Sequence, residues 1–174
     1  MEVSNIRGKA MKFGDKMNTD IIIPSQYLEH SDPNVYCKYV MAAIRPSTWE
    51  EIQERGDTVF IGGIDFGSGS SREQAPDAIK FAGVKCVVAE SFATIFFRNC
   101  VNVGLPLLEV KGISEKVDEG DEVVVDLHQG VIINQTRNIT IQGQKLEPFL
   151  LNKMEKGGLI PELQDYVKQH QLDQ

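Results

Sequence analysis

The chain has 174 residues, 41% of them hydrophobic, enough to bury one core and most simply read as a single domain. Its net charge of -7 speaks against nucleic acid or an anionic membrane as partner; no run reaches the roughly 20 apolar residues of a membrane span, and residues 1–10 lack a signal-peptide core. The three cysteines, Cys37, Cys86 and Cys100, are odd in number and far apart, which suits a reducing cytoplasm rather than a disulfide scaffold.

In chain order, residues 6–13 read as an edge strand, 14–20 as a loop, and Ile21-Ile22-Ile23 as a short strand stopped by Pro24. Asp32-Pro33 has the form of an N-cap followed by proline and predicts a helix to about Ile44. Ser47-Thr48-Trp49-Glu50 matches a capping box and predicts a short helix to Arg55. Strand 58–61, a Gly/Ser loop, helix 73–82 and strand 84–89 form a βαβ unit. Ser71 with Gln74 is a second capping-box match, and Pro76 sits in that helix's first turns, where a missing N–H costs little. Ser91 is read as the cap of a helix to Asn102, ending at Gly104, with a strand over 105–110. Beyond Gly120 the pattern is a β-meander, with strands at 122–127, 131–134 and 138–142. Helices follow from Pro148 to Gly157 and from Pro161 to about His170. This organisation places a core over 8–110, with the meander and terminal helices over 120–170.

The stretch Gly67-Ser68-Gly69-Ser70-Ser71-Arg72-Glu73 carries the most chemistry. Glycines allow a sharp turn and close backbone approach to a ligand, a helix start offers outward N–H groups that favour an anion, and an arginine fork suits a carboxylate or phosphate. The alternative is a solvated turn. A P-loop needs Gly-Lys-Ser/Thr, and a dinucleotide fingerprint needs glycine where Arg72 stands, so neither nucleotide reading fits. His30, His128 and His170 are too scattered to build a serine-hydrolase triad around Ser70. Ser70 could still act as a base if Arg72 and nearby amides stabilised its alkoxide. Cys86 and Cys100 read as small core residues, with no metal ligand set in this chain. Asn18-Thr19-Asp20 reads equally as a capped turn or as a carboxylate orienting a catalytic group. Arg98 and Asn99 are ligand-facing, partner-facing or simply a polar helix face.

Phe13-Gly14-Asp15, residues 18–24, Tyr27-Leu28, residues 66–75, Ala89-Glu90-Ser91-Phe92-Ala93, Phe96-Phe97-Arg98-Asn99 and residues 102–105 together resemble the small-subunit family of 3-isopropylmalate dehydratases, separate-chain forms of the aconitase swivel domain. The resemblance implies an α/β fold with a swivelling β/β/α arrangement, docked on a large subunit as a heterodimer or heterotetramer. That large subunit would hold the [4Fe-4S] cluster, whose open iron acts as Lewis acid on a leaving hydroxyl. The reaction implied is dehydration and rehydration that interconverts 2-isopropylmalate and 3-isopropylmalate in leucine biosynthesis.

By the family pattern Ser70 is the general base, Arg72 clamps a substrate carboxylate and Asp20 supports the acid/base network. The same pattern makes Gly69 and Ser71 substrate-binding through amides that stabilise charge. The loop of Tyr27, Leu28, Glu29 and His30 is where this family selects its substrate. An arginine after Tyr-Leu goes with homoaconitase-type enzymes, and apolar residues suit an isopropyl group; Glu29 and His30 match neither pattern. An anionic Glu29 would repel a third carboxylate. A homoaconitase, dimethylmalate or citraconate hydratase type remains the alternative within the family, and a non-catalytic anion-binding domain the alternative outside it.

Overall fold

The computed structural model describes residues 3–29 and 31–171; the expectation for His30 lies outside the described residues. In chain order the elements are β1 (Ile6–Lys12), α1 (Thr19–Ile22), α2 (Pro33–Tyr36), α3 (Thr48–Arg55), β2 (Thr58–Gly62), α4 (Gln74–Phe81), β3 (Val84–Ala89), α5 (Thr94–Val103), β4 (Leu107–Glu109), α6 (Ile113–Lys116), β5 (Glu122–Asp126), β6 (Val131–Asn134), β7 (Ile139–Gln142), α7 (Pro148–Glu155) and α8 (Leu159–Gln171). One sheet takes all the strands in the order β4-β3-β2-β1-β5-β6-β7. β1 to β4 pair in parallel, while β1 with β5 and the meander β5-β6-β7 pair antiparallel.

β2 is buried along its whole length, as expected where helices cover both faces of a parallel sheet. Residues 6–13 are therefore not an edge: β1 lies at the junction of the parallel and antiparallel halves, with a neighbour on each side. Its mixed polarity had suggested an edge, but exposed Arg7 and Lys9 and half-buried Gly8 sit on a strand whose apolar residues Ile6, Ala10 and Met11 are buried.

Several local signals resolve differently in three dimensions. Ile21-Ile22-Ile23 belongs to a turn of helix and its cap rather than a strand, because the Asn18 side chain accepts the Ile21 amide at 2.9 Å and caps α1. Asp32 does cap α2 as expected, but the helix gives way to a 3-10 turn at Cys37–Tyr39. Met41 then takes a positive φ of 57° while its amide is drawn to the Ile22 carbonyl at 2.8 Å. A tertiary hydrogen bond has replaced the helical one.

The capping box at 47–50 does not form; the Ser47 hydroxyl instead donates to Glu51 at 2.8 Å. Nor does Ser71 cap α4, whose N-cap is Glu73. The Ser91 hydroxyl accepts the Asp65 amide at 2.9 Å, and α5 begins at Thr94. The βαβ unit, the meander and the Gly104 helix stop appear as read from the sequence. Among the described residues no helix is long and apolar enough to cross a membrane.

Candidate active site

Parallel strands deliver their following loops to one edge of a sheet, and that edge is where open α/β sheets bind ligands. Here the loops after β1 and β2 leave side by side and stay joined. The Gly63 amide donates to Gly14, Lys16 to Ile64, Gly67 to Met17 and Thr19 to Ser68, over distances of 2.7 to 3.0 Å. The Asp15 carboxylate adds a bond from the Ile64 amide at 2.8 Å. Two motifs about fifty positions apart are thus zipped together by backbone.

Glycine is required where this zipper is tightest. Gly67 has φ +82°, and a Cβ there would sit 2.0 Å from the Phe96 ring. At Gly63 a Cβ would meet Asp15 Oδ1 at 1.9 Å. A second seam, Phe66 to Ser91 and Ala93 to Phe66, both at 3.0 Å, fastens the loop to the segment leading into α5.

The zipper sets Ser70 against Thr19. Their hydroxyls lie 3.1 Å apart, with Thr19 almost fully buried and Ser70 exposed. Beside this pair, Arg72 Nη1 meets Asp20 Oδ1 at 2.8 Å and donates to the Ile23 carbonyl at 3.1 Å. Both contacts use the same nitrogen, and no other nitrogen of the guanidinium has a partner among the described residues. No acceptor among the described residues takes the amides of Gly69, Ser70 or Ser71. The loop therefore presents a hydroxyl, a cation and unpaired donors together, a combination suited to an anion that gains charge during reaction.

The site residues expected from sequence fall into two groups. Arg72 and Asp20 meet directly, Ser70 meets Thr19, the neighbour of Asp20, and Gly69 and Ser71 share the exposed loop. Tyr27 and Leu28 are half-buried and Glu29 exposed on the turn that leaves from Ile23; Arg72 holds that turn by the Ile23 carbonyl. The Tyr27 ring stacks on Tyr39 at 3.9 Å and 2°.

Thr19 was not singled out as a partner of Ser70, although it lies in the motif that contains Asp20. The available signal was position: a small hydroxyl residue between a capping asparagine and the aspartate, on a loop leaving the same sheet edge. Arg98 is exposed on α5 and lines a cleft with Glu109 and Lys145, and Asn99 lines a separate one beside Glu73.

Among the described residues no group of three or more His, Cys, Asp or Glu is placed to hold a metal ion. Cys37, Cys86 and Cys100 are buried and unbonded to one another. Burial pushes all three thiols up in pKa, away from the thiolate that ligates metals. These donors do not fit an iron–sulfur cluster.

Residues 46–112, which include the Gly/Ser loop at the parallel edge of the mixed sheet, match the family model of the aconitase C-terminal domain. The isopropylmalate/citramalate isomerase small subunit of Methanocaldococcus jannaschii is 47% identical, over 97% of this chain and 99% of that one. The 3-isopropylmalate dehydratase small subunit of Halothermothrix orenii is 44% identical, over 94% and 98%. The crystal structure of a 3-isopropylmalate dehydratase from M. jannaschii superposes with a TM-score of 0.89 at 36% identity, covering 98% of this chain and 99% of that one. The chain belongs to the family of 3-isopropylmalate dehydratase small subunits.

Proposed function

We propose that this chain is the small subunit of a hydro-lyase that isomerises 2-isopropylmalate and 3-isopropylmalate through dehydration and rehydration, and that it turns over only with its large subunit. The observation that carries the reading is the joining of Ser70 and Arg72, on one exposed loop, to the consecutive residues Thr19 and Asp20. A carbon acid next to a carboxylate is weak, so its deprotonation needs a base and stabilisation for the charge that develops.

Ser70 is the base in this reading. Its alkoxide is stabilised by the Thr19 hydroxyl and the unpaired amides of its own loop. Arg72, oriented by Asp20 and the Ile23 carbonyl, offers its second edge to a substrate carboxylate. Tyr27, Leu28 and Glu29 form the wall that meets the substrate's side group. A [4Fe-4S] cluster, if held by the large subunit, would supply Lewis acidity for a leaving hydroxyl.

The exposure of residues 69–71 supports dependence on a partner, since a bare surface loop can neither exclude water nor enclose a small dicarboxylate. The test is anaerobic reconstitution with the large subunit and a panel of isopropylmalates, citramalate and homoaconitate. Citramalate belongs there because the M. jannaschii relative is named for both substrates. Ser70→Ala should abolish turnover while the complex still assembles; near-normal turnover in that variant removes Ser70 from the mechanism.

A further inference from the structure

We infer that the large subunit docks along the exposed apolar stripe of α8 as well as over the catalytic loop. This rests on the reading above. Residues 69–71 offer far less than the roughly 800 Å² per partner that a stable interface buries, so the surface that holds the subunits together must continue beyond them.

The structure gives that continuation a direction. Glu73, directly after Arg72, shares a cleft with Asn99 and Asn102 of α5 and Ile160 of α8. Asn99 and Asn102 share a helix face with Ile95, one turn nearer the loop. Ile160 in turn lines a shallow apolar groove with Leu163 and Val167, at the i, i+3, i+7 spacing of a single helical face.

Ile95, Ile160, Leu163 and Val167 are 47% to 62% exposed. Single exposed aliphatics are ordinary on a protein surface. A row of them that begins beside a catalytic loop, and that loop needs a partner over it, marks an interaction surface. Glu162, beside the row, pairs with Lys156 at 3.3 Å and approaches Lys153 at 3.9 Å, while Lys168 borders the groove. Between these charges α8 presents an apolar face.

The experiment titrates a fixed concentration of large subunit with this chain and follows turnover. The double variant Ile160→Asp, Leu163→Asp should raise the half-saturating concentration about tenfold or more, with turnover at saturation as in wild type. Ile139→Asp, a partly exposed isoleucine on the far edge strand β7, should leave the titration unmoved. Wild-type half-saturation in the double variant overturns the docking surface, as does an equal shift in Ile139→Asp. So does self-association of the wild-type chain, seen by sedimentation and lost in the double variant, if the titration stays unchanged; the stripe then belongs to a second copy. Absence of turnover in wild type with its large subunit overturns the hydro-lyase reading, and this inference with it.

Discussion

The Thr19 and Ser70 hydroxyls stand 3.1 Å apart because the Thr19 amide is bonded to the Ser68 carbonyl at 2.8 Å. The loop after β1 therefore positions the side chain at the centre of the loop after β2. Thr19 is buried, so its hydroxyl has little access to water and its orientation is set by Ser70.

Thr19→Val keeps the shape and removes that oxygen. Turnover of the reconstituted enzyme should fall about tenfold, the worth of roughly one hydrogen bond, with KM and assembly little changed. Thr19→Ser should restore most of the rate. Steady-state kinetics of the three forms decides it, and an unchanged kcat in the valine variant would reduce the contact to packing.

Arg72 serves two structural partners through one nitrogen, and its other nitrogens have none among the described residues. Lysine retains the charge but not the planar fork. Arg72→Lys should therefore lower kcat/KM by about a hundredfold, and Asp20→Asn by less, since an amide oxygen can still accept a bond. Equal kinetics in wild type and the lysine variant would show that the guanidinium does not clamp substrate.

Glu51 anchors a network far from the loop chemistry. Its carboxylate pairs with Arg45, with Arg55 at 2.9 Å and with the Ser47 hydroxyl at 2.8 Å. The hydrogen bond from Arg45 is the main reason its pKa falls to about 2. A folded pKa below the unfolded one contributes stability above roughly pH 4.3, and that contribution is lost as pH falls towards 2. Urea denaturation from neutral to acid pH should show Glu51→Gln less stable at pH 7, with the gap to wild type closing by about pH 2. A gap constant with pH would contradict the assignment.

Two glycines with similar positive φ separate backbone strain from steric clash. Gly56 has φ +76° and nothing within 4 Å of a built Cβ, whereas at Gly67 that atom would collide with Phe96. Gly56 also has a ψ of -127°, outside the left-handed well that other residues can enter, so Gly56→Ala should cost about 2 kcal/mol from backbone strain alone. Gly67→Ala should cost about 3 kcal/mol or more, since the Phe96 ring must also move. Thermal melts of the two variants give the comparison, and equal losses would mean that the loop can relax away from Phe96.

Legibility in the sequence followed the range of the interactions concerned. The βαβ unit was readable because a buried apolar run, a glycine turn and a proline in a first helical turn are all local signals, and α4 and β3 appeared where they pointed. Ile21-Ile22-Ile23 was misread because three β-branched residues look like a strand until the Asn18 side chain bends them into a helical turn. Ser71 and Ser91 looked like helix caps because spacing alone cannot show where their hydroxyls point. The stripe on α8 escaped notice because, in a helix of mostly polar residues, Ile160, Leu163 and Val167 become a surface only when they face solvent beside α5.

By itself, the sequence determined the chemistry available: a serine and an arginine within a glycine-rich loop, an aspartate in a second motif, and apolar runs of strand length. Those are properties of residue type and close spacing, which no fold can alter. Only the tertiary structure decided that β1 lies inside the sheet, that Thr19 answers Ser70, and that Arg72 reaches both Asp20 and Ile23. Such pairings depend on the parallel register of β1 with β2, an alignment stabilised by hydrogen bonds and packing between segments fifty residues apart.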